Sequence, residues 1–297
     1  MRIKQLAFFL AACLAGSLLS AHEEPVRPRI YGIVWIRLRV TNLEKAKLFY
    51  EKIFELKEFK NQCFTPSAVC LWINGTQKLE LVPASSSEDH GGLDLVGFFT
   101  RDLEKMRQYL YSRGLLPGEI VRHEREYFEV PDFEGHRVAF ESASENADYM
   151  FSPVSSKILH AGFVVRDRAR EDKFYRDILD FGLYWYGGFQ DQDTDWYEIQ
   201  VPDGDSWIEY MLNIPVTADH KELGVQNHFS LGVKDAQVAA AQLRKNGLKT
   251  FDGPEIGRDG KNSLDAYDPD DTRVEVMEYT PTKPPCCHPY TASHPKP

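Results

Sequence analysis

Four segments of this chain repeat one pattern, a short apolar strand that runs into a helix opening on Asn or Asp. They span 33–54, 94–114, 159–182 and 227–247, with Asn42, Asp102, Asp167 and Asp235 at the junctions. A side-chain oxygen at such a junction accepts a bond from an orphan N–H of the first helical turn, so these four residues are expected N-caps. The junctions lie 60, 65 and 68 residues apart by subtraction, and a steady period of that size marks tandem copies of one unit. Each copy closes on another strand, at 77–82, 136–141, 207–212 and 273–277, and further strand-like stretches precede it at 68–73, 196–201 and 263–267. The reading is an α+β fold of four βαβββ modules in two pairs, over 28–148 and 155–281. The chain's 297 residues agree with two domains.

The ends read differently from the repeats. Residues 1–5 are short and basic, 6–19 are apolar, and polar residues begin at Ser20. The apolar run falls short of the about 20 residues a spanning helix needs, so 1–21 is expected to be a secretory signal cut after Ala21. Leu10-Ala11-Ala12-Cys13 also resembles a lipoprotein box, which would leave a lipid on Cys13. Export would leave four cysteines. Cys63 and Cys70 flank a Thr-Pro-Ser turn and suit a bridge. Cys286-Cys287-His288 sits in the Pro-rich tail 282–297, expected to be flexible, where the sharper alternative is a soft-metal site with His294. Asp plus Glu is 45 against 35 for Lys plus Arg, a net charge of -10. That acidity argues against nucleic acid or an anionic membrane surface as the main partner. No segment of the mature chain could span a membrane; the expected partner is a small molecule, bound by a monomer or homodimer.

The residues at the junctions and strand ends carry a resemblance. Asn42-Leu43-Glu44-Lys45-Ala46 followed by Phe49-Tyr50, and the closing segment Asp268 to Val276, resemble the vicinal oxygen chelate superfamily, which includes glyoxalases, fosfomycin-resistance enzymes, bleomycin-binding proteins and extradiol dioxygenases. The resemblance covers 30–280. It implies that two modules form a cup-shaped half-barrel pair around one divalent metal ion. It also implies one ligand seven residues before each junction and one at the Glu of each last strand. Those positions hold Trp35, Leu95, His160 and His228 on the first strands, and Glu80, Ala139, Glu209 and Glu275 on the last. Only the second pair of modules is complete, so His160, Glu209, His228 and Glu275 are the expected ligands.

Residue chemistry supports that set independently. Strand side chains alternate faces, so His160 shares a face with Gly162 and His228 with Gly232, beside open space. Glu209 and Glu275 stand among apolar neighbours, where a carboxylate is costly unless paired or bound to a metal. A lone strand His is more often a satisfied core residue than a ligand, but four such residues at equivalent places in two copies are hard to obtain by chance. Imidazole plus carboxylate suits Fe2+, Mn2+, Zn2+, Ni2+ or Co2+. In the first pair Trp35, Arg37, Leu95 and Phe99 should fill the equivalent space, with Glu80 paired to Arg37, giving a structural half.

The resemblance offers two chemistries. In glyoxalase- or epimerase-like enzymes, Glu209 or Glu275 would move a proton beside a carbonyl, and the complete ligand set places this class first. In extradiol dioxygenases, iron would be held by His160, His228 and Glu275 alone, a class that the four-module layout favours. Against ring cleavage, Asp265 stands where that family has Tyr, and no His lies between Glu255 and Asp265. A non-catalytic small-molecule binder is the third reading. Glu198, Asp265 and Tyr267 are expected to support the site, with Arg258 and Lys261 on the preceding loop. Tyr184, Trp185, Tyr186, Phe189 and Trp196 could wall it, although aromatic residues there are more often core.

Overall fold

The computed structural model describes residues 24–58, 63–65, 67–86, 88–122, 125–142 and 152–297. The expected signal segment and Cys13 lie outside the described residues. In the first half, β1 (Ile33–Val40), α1 (Leu43–Ile53), β2 (Lys57–Glu58), β3 (Val69–Trp72) and β4 (Lys78–Pro83) form one module. Its partner is β5 (Gly92–Phe99), α2 (Leu103–Ser112), β6 (Val121–Arg122), β7 (Glu126–Pro131) and β8 (Arg137–Ser142). The second half repeats this with β9 (Lys157–Val164), α3 (Arg168–Asp172, continued by a π-helical turn to Ile178), β10 (Gly182–Gly187), β11 (Trp196–Gln200) and β12 (Trp207–Met211). It ends with α4 (His220–Gln226), β13 (His228–Val233), α5 (Ala236–Lys245), β14 (Asp252–Ile256), β15 (Asn262–Tyr267) and β16 (Arg273–Glu278). The helix α4 is an addition that the repeat pattern did not announce.

All four expected caps are present: Asn42, Asp102, Asp167 and Asp235 each accept from a backbone N–H in the first turn of their helix. In each half the eight strands make one sheet in which the two modules' first strands pair antiparallel at the centre, β1 with β5 and β9 with β13. The closing strand of each module runs parallel beside its own first strand. These are two half-barrel pairs of the expected α+β kind.

The helices explain why the two halves stay together. Each buries one stripe, such as Ala46, Tyr50 and Ile53 on α1, or Ala236, Ala239, Ala240 and Leu243 on α5, spaced as a helix face requires. These stripes and the apolar strand faces join in a single core that contains residues of both halves. Buried polar bonds cross the same boundary. The Gln77 amide donates to the carbonyls of Ile33 (2.6 Å) and Ile158 (3.2 Å) and accepts from the Ile158 N–H (2.8 Å). At the equivalent place in the other half, the Ser206 hydroxyl accepts from the Ile33 N–H at 2.9 Å. No helix among the described residues is long and apolar enough to cross a membrane.

The tail corrects an expectation. Residues 282–297 do not stand free. Cys286 N–H donates to the Arg258 carbonyl (2.8 Å), Trp185 Nε1 to the His288 carbonyl (3.0 Å), and Thr291 N–H to the Tyr184 carbonyl (2.9 Å). Prolines deny this segment a helix or sheet of its own, but its backbone and aromatic side chains find partners on β10 and the loop before β15. Cys286 and Cys287 are bonded to one another, as are Cys63 and Cys70. His294 meets the Tyr184 hydroxyl at 2.8 Å instead of a thiolate metal site.

Gln77→Ala should strand three backbone groups in the interface between the halves. A loss of about 2–3 kcal/mol is expected, read as a lower denaturant midpoint with little change in slope; an unchanged midpoint would show that the halves do not depend on this bridge.

Candidate metal centre

The pleat sends His160 and His228 to the face of the second sheet opposite the shared core. Their strands are neighbours, with His228 opposite Gly162 and Ser230 opposite His160. The two Nε2 atoms meet at 3.0 Å. Glu209, on β12 beside β9, brings Oε2 to 3.2 Å from His228 Nε2 and 3.6 Å from His160 Nε2. Glu275, on β16 beside β13, brings Oε2 to 3.2 Å from His160 Nε2. The four expected ligands therefore converge from four strands. All four are buried.

Gly162 makes the convergence possible. A Cβ at that position would lie 2.6 Å from His228 Nδ1, inside the imidazole. The first half repeats the arrangement with a different outcome: a Cβ on Gly97 would lie 2.8 Å from Cβ of Trp35, whose indole occupies the space instead. Phe64 and Tyr127 pack on that indole at 4.5 and 5.2 Å, and Glu80 accepts from Arg37 Nε at 2.8 Å, as the sequence suggested. The first half is filled where the second is lined with imidazoles and carboxylates.

Burial perturbs the ionisable groups of the second site. Burial, followed by the neighbouring His228, holds His160 well below its usual pKa, and burial also lowers His228. Both rings are thus neutral, which is the form a metal requires. His228 Nδ1 lies 2.9 Å from the Gln226 carbonyl, a partner that favours the proton on Nδ1, and the Nε2 lone pair then accepts from Arg273 at 2.8 Å. Glu275 is pushed up to about 8, first by burial and then by the charge of Asp265. Glu198 is driven well above the usual carboxylate range by burial, and one of its oxygens has no partner. Buried acids beside neutral imidazoles are costly unless protons or cations lie among them; Arg273, 2.8 Å from His228 Nε2, is one such cation, and a divalent ion would be another. The donor set of two imidazoles and two carboxylates therefore fits such an ion.

The remaining sequence-derived residues divide. Glu198 stands opposite Glu209 in the β11–β12 register, and Asp265 opposite Glu275 in β15–β16, so the two modules contribute matching acid pairs. Both line a cavity of about 360 Å3 above the ligands, together with Trp185, Phe189, Trp196 and Arg258. Tyr267 does not line it: its hydroxyl donates to Asp252 at 2.8 Å, one step farther along the strand than expected. Tyr186 stacks on His288 of the tail at 3.7 Å. Lys261 is buried over Trp207 (4.3 Å), Tyr184 and Tyr290, behind the cavity wall.

Arg273 was missed. Its guanidinium lies 2.8 Å from His228 Nε2 and 3.5 Å from Asp265 and lines the cavity. The available signal was its position two residues before Glu275, hence on the same strand face.

The comparisons with known proteins agree with this geometry. Residues 159–264 match the family model described as the glyoxalase, bleomycin resistance protein and dioxygenase superfamily. No curated protein sequence matches the chain. Among solved structures, the 2,3-dioxygenase LapB from Pseudomonas sp. KL28 superposes with a TM-score of 0.67 at 17% identity, over 92% of this chain and 96% of that one. An extradiol ring-cleaving dioxygenase from B. fuscum gives 0.65 at 18%, over 85% and 73%. Homoprotocatechuate 2,3-dioxygenase from Brevibacterium fuscum, in complex with 3,4-dihydroxyphenylacetate, gives 0.63 at 16%, over 91% and 84%. The fold is shared along nearly the whole chain, and the resemblance to the vicinal oxygen chelate superfamily seen in the repeats holds.

Two outcomes follow. Gly162→Ala should weaken metal binding at least tenfold by displacing His228, as read by metal content after dialysis. Because the metal-free site keeps a proton on Glu275 below about pH 8, binding must displace it. Affinity should rise about tenfold per pH unit up to that point and level off above it, as calorimetric titration across pH 6–9 would show. A flat profile would remove Glu275 from the ligand set.

Proposed function

We propose that this chain is an exported, metal-dependent enzyme that moves a proton beside a carbonyl on a small molecule carrying adjacent oxygens, the type of chemistry found in glyoxalases and epimerases. The observation that carries the reading is the presence of both Glu209 and Glu275 around His160 and His228, where a facial set of three ligands would need only one carboxylate. A divalent ion held by these residues would polarise a substrate carbonyl and stabilise the enediolate charge. Export is supported by the leader-like residues 1–21 and by two disulfides in the folded part.

The side chains suit the task. Glu209 lines the cavity and can take the proton at its carboxylate. Burial favours the protonated form of Glu198 behind it, and in that form it can donate a hydrogen bond to the Glu209 carboxylate or to substrate. Arg273 and Arg258 supply positive charge on the cavity walls for an anionic oxygen. Trp185, Phe189 and Trp196 offer apolar surface that excludes water and packs on the substrate's carbon frame.

Extradiol-type oxygen chemistry is the second reading, favoured by the dioxygenase fold along the chain. It lacks an acid–base histidine: no His or Tyr is among the residues lining the cavity in the described structure. A binding protein without catalysis is the third.

One experiment separates them. The metal-loaded mature protein is incubated in D2O with a panel of hydroxyketones and hemithioacetals, and carbon-bound deuterium is followed by NMR. Catechols are screened in parallel for oxygen uptake. Exchange that falls about 10²–10³-fold in Glu209→Gln supports proton transfer. Oxygen uptake with catechols that is unaffected by Glu209→Gln and abolished by His160→Ala would replace it with the iron reading.

A further inference from the structure

A second group of metal-ligating side chains lies where the halves dock, away from the His160 cavity. Each half ends a turn on an aspartate bonded to a tyrosine from the other half's helix. The Tyr50 hydroxyl donates to Asp268 at 2.9 Å, and the Tyr175 hydroxyl donates to Asp132 at 3.1 Å. The turns are also alike. Asp268 Oδ1 accepts from the N–H groups of Asp270 and Thr272, and Asp132 Oδ1 from those of Glu134, Gly135 and His136.

Two of the differences between the junctions fall beside the bonded Asp and Tyr. Where one has Ala46 on the helix and Thr272 on the turn, the other has Glu171 and His136. Docking therefore requires neither a carboxyl nor an imidazole there, since the sister junction forms without them. Glu171 is 0% exposed, and its ionised carboxylate has no side-chain donor, so that only a protonated Glu171 bonds to Asp132. Burial, then the charge of Asp132, pushes its acid up to about 9. His136 Nδ1 lies 2.8 Å from Asp132 Oδ2, with the ring stacked on Phe163. Donor atoms of Asp132, His136 and Glu171 all fall within 4.8 Å of one another. His136 also borders a cavity of about 190 Å3.

We propose that Asp132, His136 and Glu171 form a second divalent-cation site that clamps the two halves together. One imidazole nitrogen with carboxylate oxygens suits zinc, manganese or their neighbours. The cation would neutralise two adjacent buried carboxylates that otherwise need a proton between them. The site is independent of the catalytic reading above. It joins the first half, which has no complete ligand set of its own, to the helix of the third module.

The test counts metal in the full mature chain after equilibration with zinc and removal of the excess. About two zinc ions per chain are expected in the wild type, and about one each in Glu171→Ala and in the double variant His160→Ala/His228→Ala. Equal zinc content in wild type and Glu171→Ala overturns the second site, whatever the double variant shows. No loss in the double variant speaks only against the first site. Thermal unfolding supplies the other measurement. In the double variant, saturating zinc should raise Tm by about 5 °C over EDTA, and adding Glu171→Ala should abolish that rise. If zinc leaves the Tm of the double variant unchanged, the proposal is overturned.

Discussion

A β-strand shows its side chains alternately to two faces, and in each module the helix covers only one of them. That constraint organises the whole molecule. The covered faces of both sheets, together with their helices, merge into one core that joins the halves. The opposite face of each sheet must then be either packed with its own bulk or lined by groups that require something bound. The two halves take opposite options on nearly the same backbone.

The difference shows where the two central strands of each sheet face one another. In each sheet a residue on one central strand stands over a glycine on the antiparallel neighbour, Trp35 over Gly97 and His228 over Gly162. An indole fills the space and attracts Phe64 and Tyr127 around it. An imidazole leaves room and offers a lone pair. The acids follow suit: Glu80 is neutralised by Arg37, whereas Glu275 and Glu198 are left to be protonated or to meet a cation. The duplicated fold thus provides its own control, in which the same cup is seen once closed and once open.

Much of this was legible in the sequence because it depends on local periodicity. The four caps, the helical stripes and the strand faces of His160, Glu209, His228 and Glu275 need only spacing of two or 3.6 residues. What escaped depends on register between distant strands. Tyr267 lies on the expected face, but β15 pairs Asp265 with Glu275 and Tyr267 with Arg273, so the hydroxyl falls beyond the cavity. Arg273 joins the site through that same pairing. Composition misled for the tail, because prolines report what a segment cannot build alone and nothing about the surface it lies on. Glu171 and His136 gained meaning only when the two docking junctions could be laid side by side, since each residue alone reads as an ordinary polar side chain.

The tail has a consequence for the surface beneath it. Residues 286–294 lie over β10 and the loop before β15, in the second half. Without that cover Tyr184, Trp185 and Lys261 would be bared. A contiguous aromatic patch of this kind is a surface on which proteins associate. The segment with the fewest secondary-structure bonds of its own thus keeps one side of the second sheet from becoming an adhesive face.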